Sequence, residues 1–188
     1  MKKIIIVLSV ILLGMTLFGC TEKPNKNNEK TTIVTTLYPQ YDFAKEIAGD
    51  KAEVLLLIPP GVETHSFEPS PKDIITINES DLFIYTGEKT EVWAAKIIEN
   101  IPKETVVVDV SKGINLTKNE NHEDHDHDHE DAHHHEYDPH IWTNPVFVKT
   151  MVHNIVDGLV EKDSENTDYY RQNGDKYIEK LDALDQGV

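Results

Sequence analysis

The sequence predicts an α/β fold in which a parallel sheet is flanked by helices, and three observations carry that prediction. Short β-branched or wholly apolar runs recur along the chain, helical segments separate them, and one run, Ala52 to Ile58 (AEVLLLI), is apolar almost throughout. Strands buried on both faces read that way, and strand–helix alternation favours parallel pairing with helices on each face. Thr32 to Leu37 (TIVTTL) is the first strand, followed by a helix over Tyr41 to Ala48 that Gly49 closes. Ala52 to Ile58 is the second strand. Lys72 to Asn78 follows as a short helix, Leu82 to Tyr85 as a third strand, Thr90 to Glu99 as a helix and Thr105 to Val110 (TVVVDV) as a fourth strand. In Pro145 to Glu161 the residues Val148, Met151, Val152, Ile155 and Leu159 recur at helical spacing and make one apolar face. A last helix runs from about Asn166 to Gln186.

Charge and leader narrow the setting. With 18 Lys+Arg against 34 Asp+Glu the formal charge is −16, which argues against a nucleic-acid partner. Lys2 and Lys3 precede an apolar run from Ile4 to Phe18, too short for the roughly 20 residues of a membrane span and suited to a secretory signal. The single cysteine, Cys20, ends Leu17-Phe18-Gly19-Cys20, which resembles a bacterial lipobox. That resemblance implies cleavage before Cys20 and lipid attachment there, so that residues 1–19 are a signal peptide and 20–31 a polar tether. The expected location is the extracytoplasmic face of the cell membrane.

Two histidines stand in matched settings. His65 lies in Pro59-Pro60-Gly61-Val62-Glu63-Thr64-His65-Ser66-Phe67-Glu68-Pro69-Ser70-Pro71, where Pro60-Gly61 suits a type II turn and Ser70 with Asp73 a capping box. His140 lies in Tyr137-Asp138-Pro139-His140-Ile141-Trp142-Thr143-Asn144-Pro145, with Asn144 as a cap. Each precedes a proline-initiated helix by about a turn and a half, in a braced loop. Either alone reads as an ordinary surface histidine, but the arrangement found twice points to a shared metal, because metal–nitrogen bonds of about 2.0–2.1 Å favour ligands held in advance. Glu68 and Asp138 are candidate carboxylate partners for the two imidazoles. His153 falls off the apolar face, four residues before Asp157, and reads as a helical pair.

Residues 120–138 (ENHEDHDHDHEDAHHHEYD) hold seven histidines, nine acids and no Lys or Arg. Such a segment cannot build a core and reads as a solvated loop. His122, His125, His127, His129, His133, His134 and His135 are auxiliary metal ligands suited to Zn²⁺ and its neighbours. The Asp124/Asp126/Asp128 spacing opens like a calcium loop, but His129 stands where glycine is needed and His135 at the twelfth position, which excludes one.

Lipobox, His65-Ser66-Phe67-Glu68-Pro69, histidine-rich loop and Asp138-Pro139-His140-Ile141-Trp142, in that order, resemble the zinc/manganese substrate-binding lipoproteins of ATP-binding-cassette importers, most closely the zinc-type, adhesin-like members. The resemblance implies two α/β lobes joined by a long helix, with metal in the cleft between them. His65 and His140 match the ligands of the first lobe. It further implies Zn²⁺ as cargo with Mn²⁺ as the alternative, a permease partner, a lipid-anchored monomer and no catalytic residues. Residues 32–163 would be the metal-binding lobe and 164–188 the start of the linking helix, in a chain truncated before the second lobe and its ligands. Two histidines are half of a four-coordinate shell, so the pair alone should bind weakly and the histidine-rich loop should take most of the metal. A surface adhesin is a second reading. A metallohydrolase ranks below both, since no H-E-x-x-H pattern or paired general base is present.

Overall fold

The computed structural model describes residues 30–62, 67–116 and 140–185. Strands β1 (Thr31–Thr35), β2 (Ala52–Leu56), β3 (Leu82–Tyr85) and β4 (Val106–Asp109) form one sheet in the order β2-β1-β3-β4, with every neighbouring pair parallel. Five α-helices accompany them among the described residues: α1 (Tyr38–Ala48), α2 (Pro71–Asn78), α3 (Val92–Ile98), α4 (Pro145–Lys162) and α5 (Thr167–Asp185). The predicted fold class is the observed one. None of these helices is long and apolar enough to cross a membrane.

Side-chain alternation along the strands makes two cores. Ile33, Leu82, Ile84 and Val108 face α1, α4 and α5, packing with Phe43, Ile47, Met151, Ile155, Leu159 and Tyr170. Their neighbours Val34, Phe83 and Tyr85 point the other way, onto Ile77 of α2 and Ala94 of α3. Each fully buried aliphatic or aromatic side chain contributes roughly 1.5–3 kcal/mol, so both faces of the sheet are held.

Element ends depart from expectation where caps intervene. Helix α1 starts at Tyr38, one turn before the expected Tyr41, because Pro39 suits a first turn and the Gln40 Oε1 accepts the Leu37 N–H at 2.9 Å. That same cap takes Leu37 out of β1. β2 is shorter than Ala52 to Ile58, yet Leu57 and Ile58 still donate to the Thr35 and Thr36 carbonyls, so the pairing runs on to Ile58. Helix α3 starts at Val92 rather than Thr90, since the Thr90 and Glu91 N–H groups turn back to the Gly87 carbonyl.

Helix α4 runs antiparallel to the sheet, and its contacts fix its height. Asn154 Nδ2 donates to the Val110 carbonyl (3.0 Å) and the Lys112 carbonyl (2.9 Å), just past the carboxyl end of β4. Eight residues on, Lys162 Nζ reaches the Glu104 carbonyl and Asp81 at 2.9 Å each, at the amino ends of β4 and β3. Between them Gly158 lies against Val108 and Leu82, where a Cβ would overlap the Val108 side chain. Helix α5 packs along α1 and α4. Its buried Tyr170 hydroxyl donates to Asp163 at 2.6 Å, and Asn173 Nδ2 donates to the Ile47 carbonyl at 3.0 Å.

Gly158→Ala should therefore destabilise the chain by about 1–3 kcal/mol in urea unfolding, the overlap outweighing alanine's better helix propensity. Gly113→Ala would report backbone strain instead, since its φ is +86° and its Cβ meets only Thr150 at 3.8 Å.

Candidate metal centre

His140 stands at the head of α4. Its carbonyl accepts from the Thr143 N–H at 3.1 Å and the Thr143 hydroxyl at 2.7 Å, closing the 3₁₀ turn Ile141–Thr143. Asn144 then caps α4, its Oδ1 accepting the Val146 N–H at 2.9 Å, with Pro145 at the first position as the sequence predicts. Buried Ile141 pins the turn to the core, while the exposed imidazole meets the edge of Trp142, centroids 5.3 Å apart at 72°. Asn154 is level with the carboxyl end of β4 and Pro145 lies nine residues earlier. At 1.5 Å per residue the head of α4 rises about 13 Å beyond the sheet edge.

The His65 segment leaves the sheet at the same end. Beyond β2 the Val62 N–H donates to the Pro59 carbonyl at 3.2 Å with Gly61 at φ +86°, the geometry a type II turn demands. The chain re-enters at Phe67, whose ring meets Trp93 of α3 edge-on, centroids 5.4 Å apart at 67°. Glu68 is exposed, and Ser70 then caps α2 through the predicted capping box with Asp73. His65 itself lies outside the described residues, as do Asp138, Cys20 and the tract histidines His122, His125, His127, His129, His133, His134 and His135. Among the described residues no group of three or more His, Cys, Asp or Glu is arranged to hold a metal ion. His153 is exposed on α4, as its position off the apolar face requires.

The sheet order creates one crevice at this end. The chain passes from β1 outward to β2 and then back across to β3, so the connections after β1 and β3 diverge. Thr36, Gln40, Thr86 and Glu91 fill the gap, all buried. Thr36 Oγ1 lies 2.8 Å from Gln40 Oε1 and 3.0 Å from Glu91 Oε2. Gln40 Nε2 donates to Thr86 Oγ1 at 2.6 Å, and the Thr86 N–H donates to Glu91 Oε2. Burial pushes the Glu91 carboxyl above its usual range. Hydrogen bonding of an ionised Glu91 to Thr86 and Thr36 would pull the other way, and the charge of Asp109 adds to the rise. Glu91 Oε1 and Trp93 Nε1 are buried without a hydrogen-bond partner among the described residues. Sequence reasoning passed over this cluster and the Phe67–Trp93 contact. Gln40, three residues after a helix cap and just behind a strand end, was the available signal for the first.

Residues 33–188 match the family described as zinc-uptake complex component A, periplasmic (ZnuA). The chain is 43% identical over 164 residues to the high-affinity zinc uptake system protein ZnuA of Bacillus subtilis, covering 86% of this chain and 51% of that one. It is 39% identical over 188 residues to the zinc-binding lipoprotein AdcA of Streptococcus pneumoniae, covering 99% of this chain and 37% of that protein. The chain thus spans about half the length of these relatives or less. Among solved structures, the metal-dependent lipoprotein YcdH of Bacillus subtilis superposes with a TM-score of 0.72 at 40% identity, over 84% of this chain and 54% of its own. Zn(II)-bound AdcA of Streptococcus pneumoniae superposes with a TM-score of 0.71 at 36% identity, over 85% and 32%.

Removing the cap beneath His140 tests how firmly that turn is held. Asn144→Ala should cost about 1 kcal/mol, read as a lowered urea midpoint, because the Val146 N–H loses its acceptor.

Proposed function

The chain belongs to the periplasmic zinc-uptake component A family, and from that premise we propose that it captures Zn²⁺ outside the cytoplasm and passes it to the permease of an ATP-binding-cassette importer. It does so as a monomer anchored through lipid on Cys20, with His65 and His140 as ligands from two braced loops. The observation that carries this reading is the antiparallel run of α4. That run brings the head of the helix, with His140, to the same end of the sheet from which the Pro59–Val62 turn leads into the His65 segment. Neutral imidazole suits zinc, and two such ligands leave half of a tetrahedral shell for other donors. The cation is cargo here, so it must be released as well as held. Exposed Glu68 and, two residues before His140 in the chain, Asp138 are the carboxylates that would orient the imidazoles. The relatives' names, zinc uptake protein and zinc-binding lipoprotein, support the same cargo.

The histidine-rich tract has a separate part. Its seven histidines and nine acids form a cation-attracting segment that gathers metal near the braced pair. Zinc titration by calorimetry separates the two. Deleting residues 120–138 should remove most of the bound zinc and leave one weak site. In that shortened chain either His65→Ala or His140→Ala should abolish the remainder. Tight single-site binding that survives the deletion and both substitutions would sink the assignment.

A further inference from the structure

One hydroxyl in the crevice between β1 and β3 meets two acceptor oxygens. Thr36 Oγ1 contacts Gln40 Oε1 at 2.8 Å and Glu91 Oε2 at 3.0 Å, and a threonine has a single proton to give. The Gln40 amide is fixed from both ends: its Oε1 accepts the Leu37 N–H and its Nε2 donates to Thr86 Oγ1. Flipping it would set its NH₂ against that N–H, so Oε1 takes the Thr36 proton. The Thr36–Glu91 contact then needs a proton from the other side. An ionised Glu91 would press oxygen lone pairs together at 3.0 Å, with Oε1 buried and unpartnered among the described residues. Protonated at Oε2, the circuit closes. Glu91 donates to Thr36, Thr36 to Gln40, Gln40 to Thr86 Oγ1, and the Thr86 N–H returns to Glu91 Oε2.

We propose that Glu91 is a positioning residue that works as a neutral carboxylic acid, its proton latching the β3–α3 connection to the start of α1 and so holding Trp93 against Phe67 at the exit of the His65 turn. Glu91 is the residue from which α3 begins and Trp93 is two residues on, so the latch and the aromatic contact belong to one rigid corner. Burial is the main cause that favours the proton and the Asp109 carboxylate from β4 adds to it, against the pull of hydrogen bonding from Thr86 and Thr36 to an ionised form. Tyr85 of β3, pushed up to about 12 by burial and by Asp109, Glu88 and Glu91, adds no charge of its own near neutral pH. Gln40 from α1 and Thr36 from the end of β1 are uncharged. The consequence for metal capture rests on the zinc reading above, whereas the latch does not.

The pH dependence follows in sign. A carboxyl raised above its ordinary 4.5 in the folded state stabilises fully below the unfolded value and loses that contribution as pH rises through the folded one. The chain has two tryptophans, so Trp142→Phe leaves Trp93 as the single emitter. In that chain, raising the pH from about 5 to about 9 should lower the thermal midpoint and shift Trp93 emission to the red. Glu91→Gln, which cannot ionise, should flatten both profiles. A flat profile in the parent, or one that Glu91→Gln leaves unchanged, overturns the proposal. So does a midpoint that moves while Trp93 emission stays constant. Should Glu91→Gln fail to fold, the assigned ¹³C carboxyl resonance of Glu91 in the unmodified chain decides it. Titration above the usual carboxyl range supports the latch, and titration near 4.5 overturns it. Zinc titration of the parent keeps the two readings apart, since absence of zinc binding there defeats the proposed cargo while these profiles still decide the latch.

Discussion

The close approach of α4 to β3 and β4 at Gly158 governs what stands at the carboxyl end of the sheet. The helix has 18 residues, about 27 Å, whereas strands of four or five residues span about 13–17 Å. A helix longer than its sheet must overhang somewhere. Lys162 at the amino ends of β3 and β4 leaves no overhang on that side, so the excess length lies at the other. His140 is raised above the strand ends by that arithmetic. A bulkier residue at position 158 would lift α4 off the sheet and move the imidazole with it, although the two positions are 18 residues apart.

The crevice between β1 and β3 is the second consequence of the topology, and it is filled in an unusual way. An apolar plug would cost nothing in desolvation. Four polar side chains instead meet there, where each unsatisfied group costs about 1–3 kcal/mol. Their return is geometric: Gln40 alone touches the cap of α1 and the residue after β3, and Glu91 ties Thr36 and Thr86 to the start of α3. Apolar packing tolerates small slides, while a closed hydrogen-bond circuit has one register. On the zinc reading, a loop carrying a metal ligand would benefit from the second property more than the first.

The parallel sheet and the helix faces were legible because burial on two faces and a 3.6-residue repeat leave direct marks on composition. Ala52 to Ile58 and the Val148–Leu159 stripe needed nothing beyond themselves. Caps spelled with Ser70, Asp73, Asn144 and following prolines were equally plain. The start of α1 was not, because its cap is Leu37, a residue with no side-chain acceptor, and the acceptor comes from Gln40 instead. The crevice was illegible for a deeper reason. Thr36, Thr86 and Glu91 are scattered over 55 residues, each ordinary in its local context, and only the sheet order brings them together. His140 and the flanks of His65 could be named from local proline and capping patterns, but their shared end of the sheet depends on the direction of α4. That is a tertiary fact.

On the zinc reading, tract and braced pair divide the work of capture in a way their compositions dictate. Nine acids among seven histidines attract cations, yet in salt that field fades within about 8 Å, so it concentrates metal locally without choosing among metals. A donor-rich segment whose only hydrophobic residues are Ala132 and Tyr137 has little apolar material to order it in advance, so gathering several imidazoles around one ion would cost chain entropy. The braced histidine has met that cost during folding: Asn144, Thr143 and Ile141 hold the turn before any cation arrives. Many ligands not held in advance would favour fast, exchangeable binding, and a few fixed ones favour geometry. A chain with a formal charge of −16 gains from having both sets only if the tract passes metal on. That requires the tract to bind each ion more weakly than the fixed site does once other donors complete its shell.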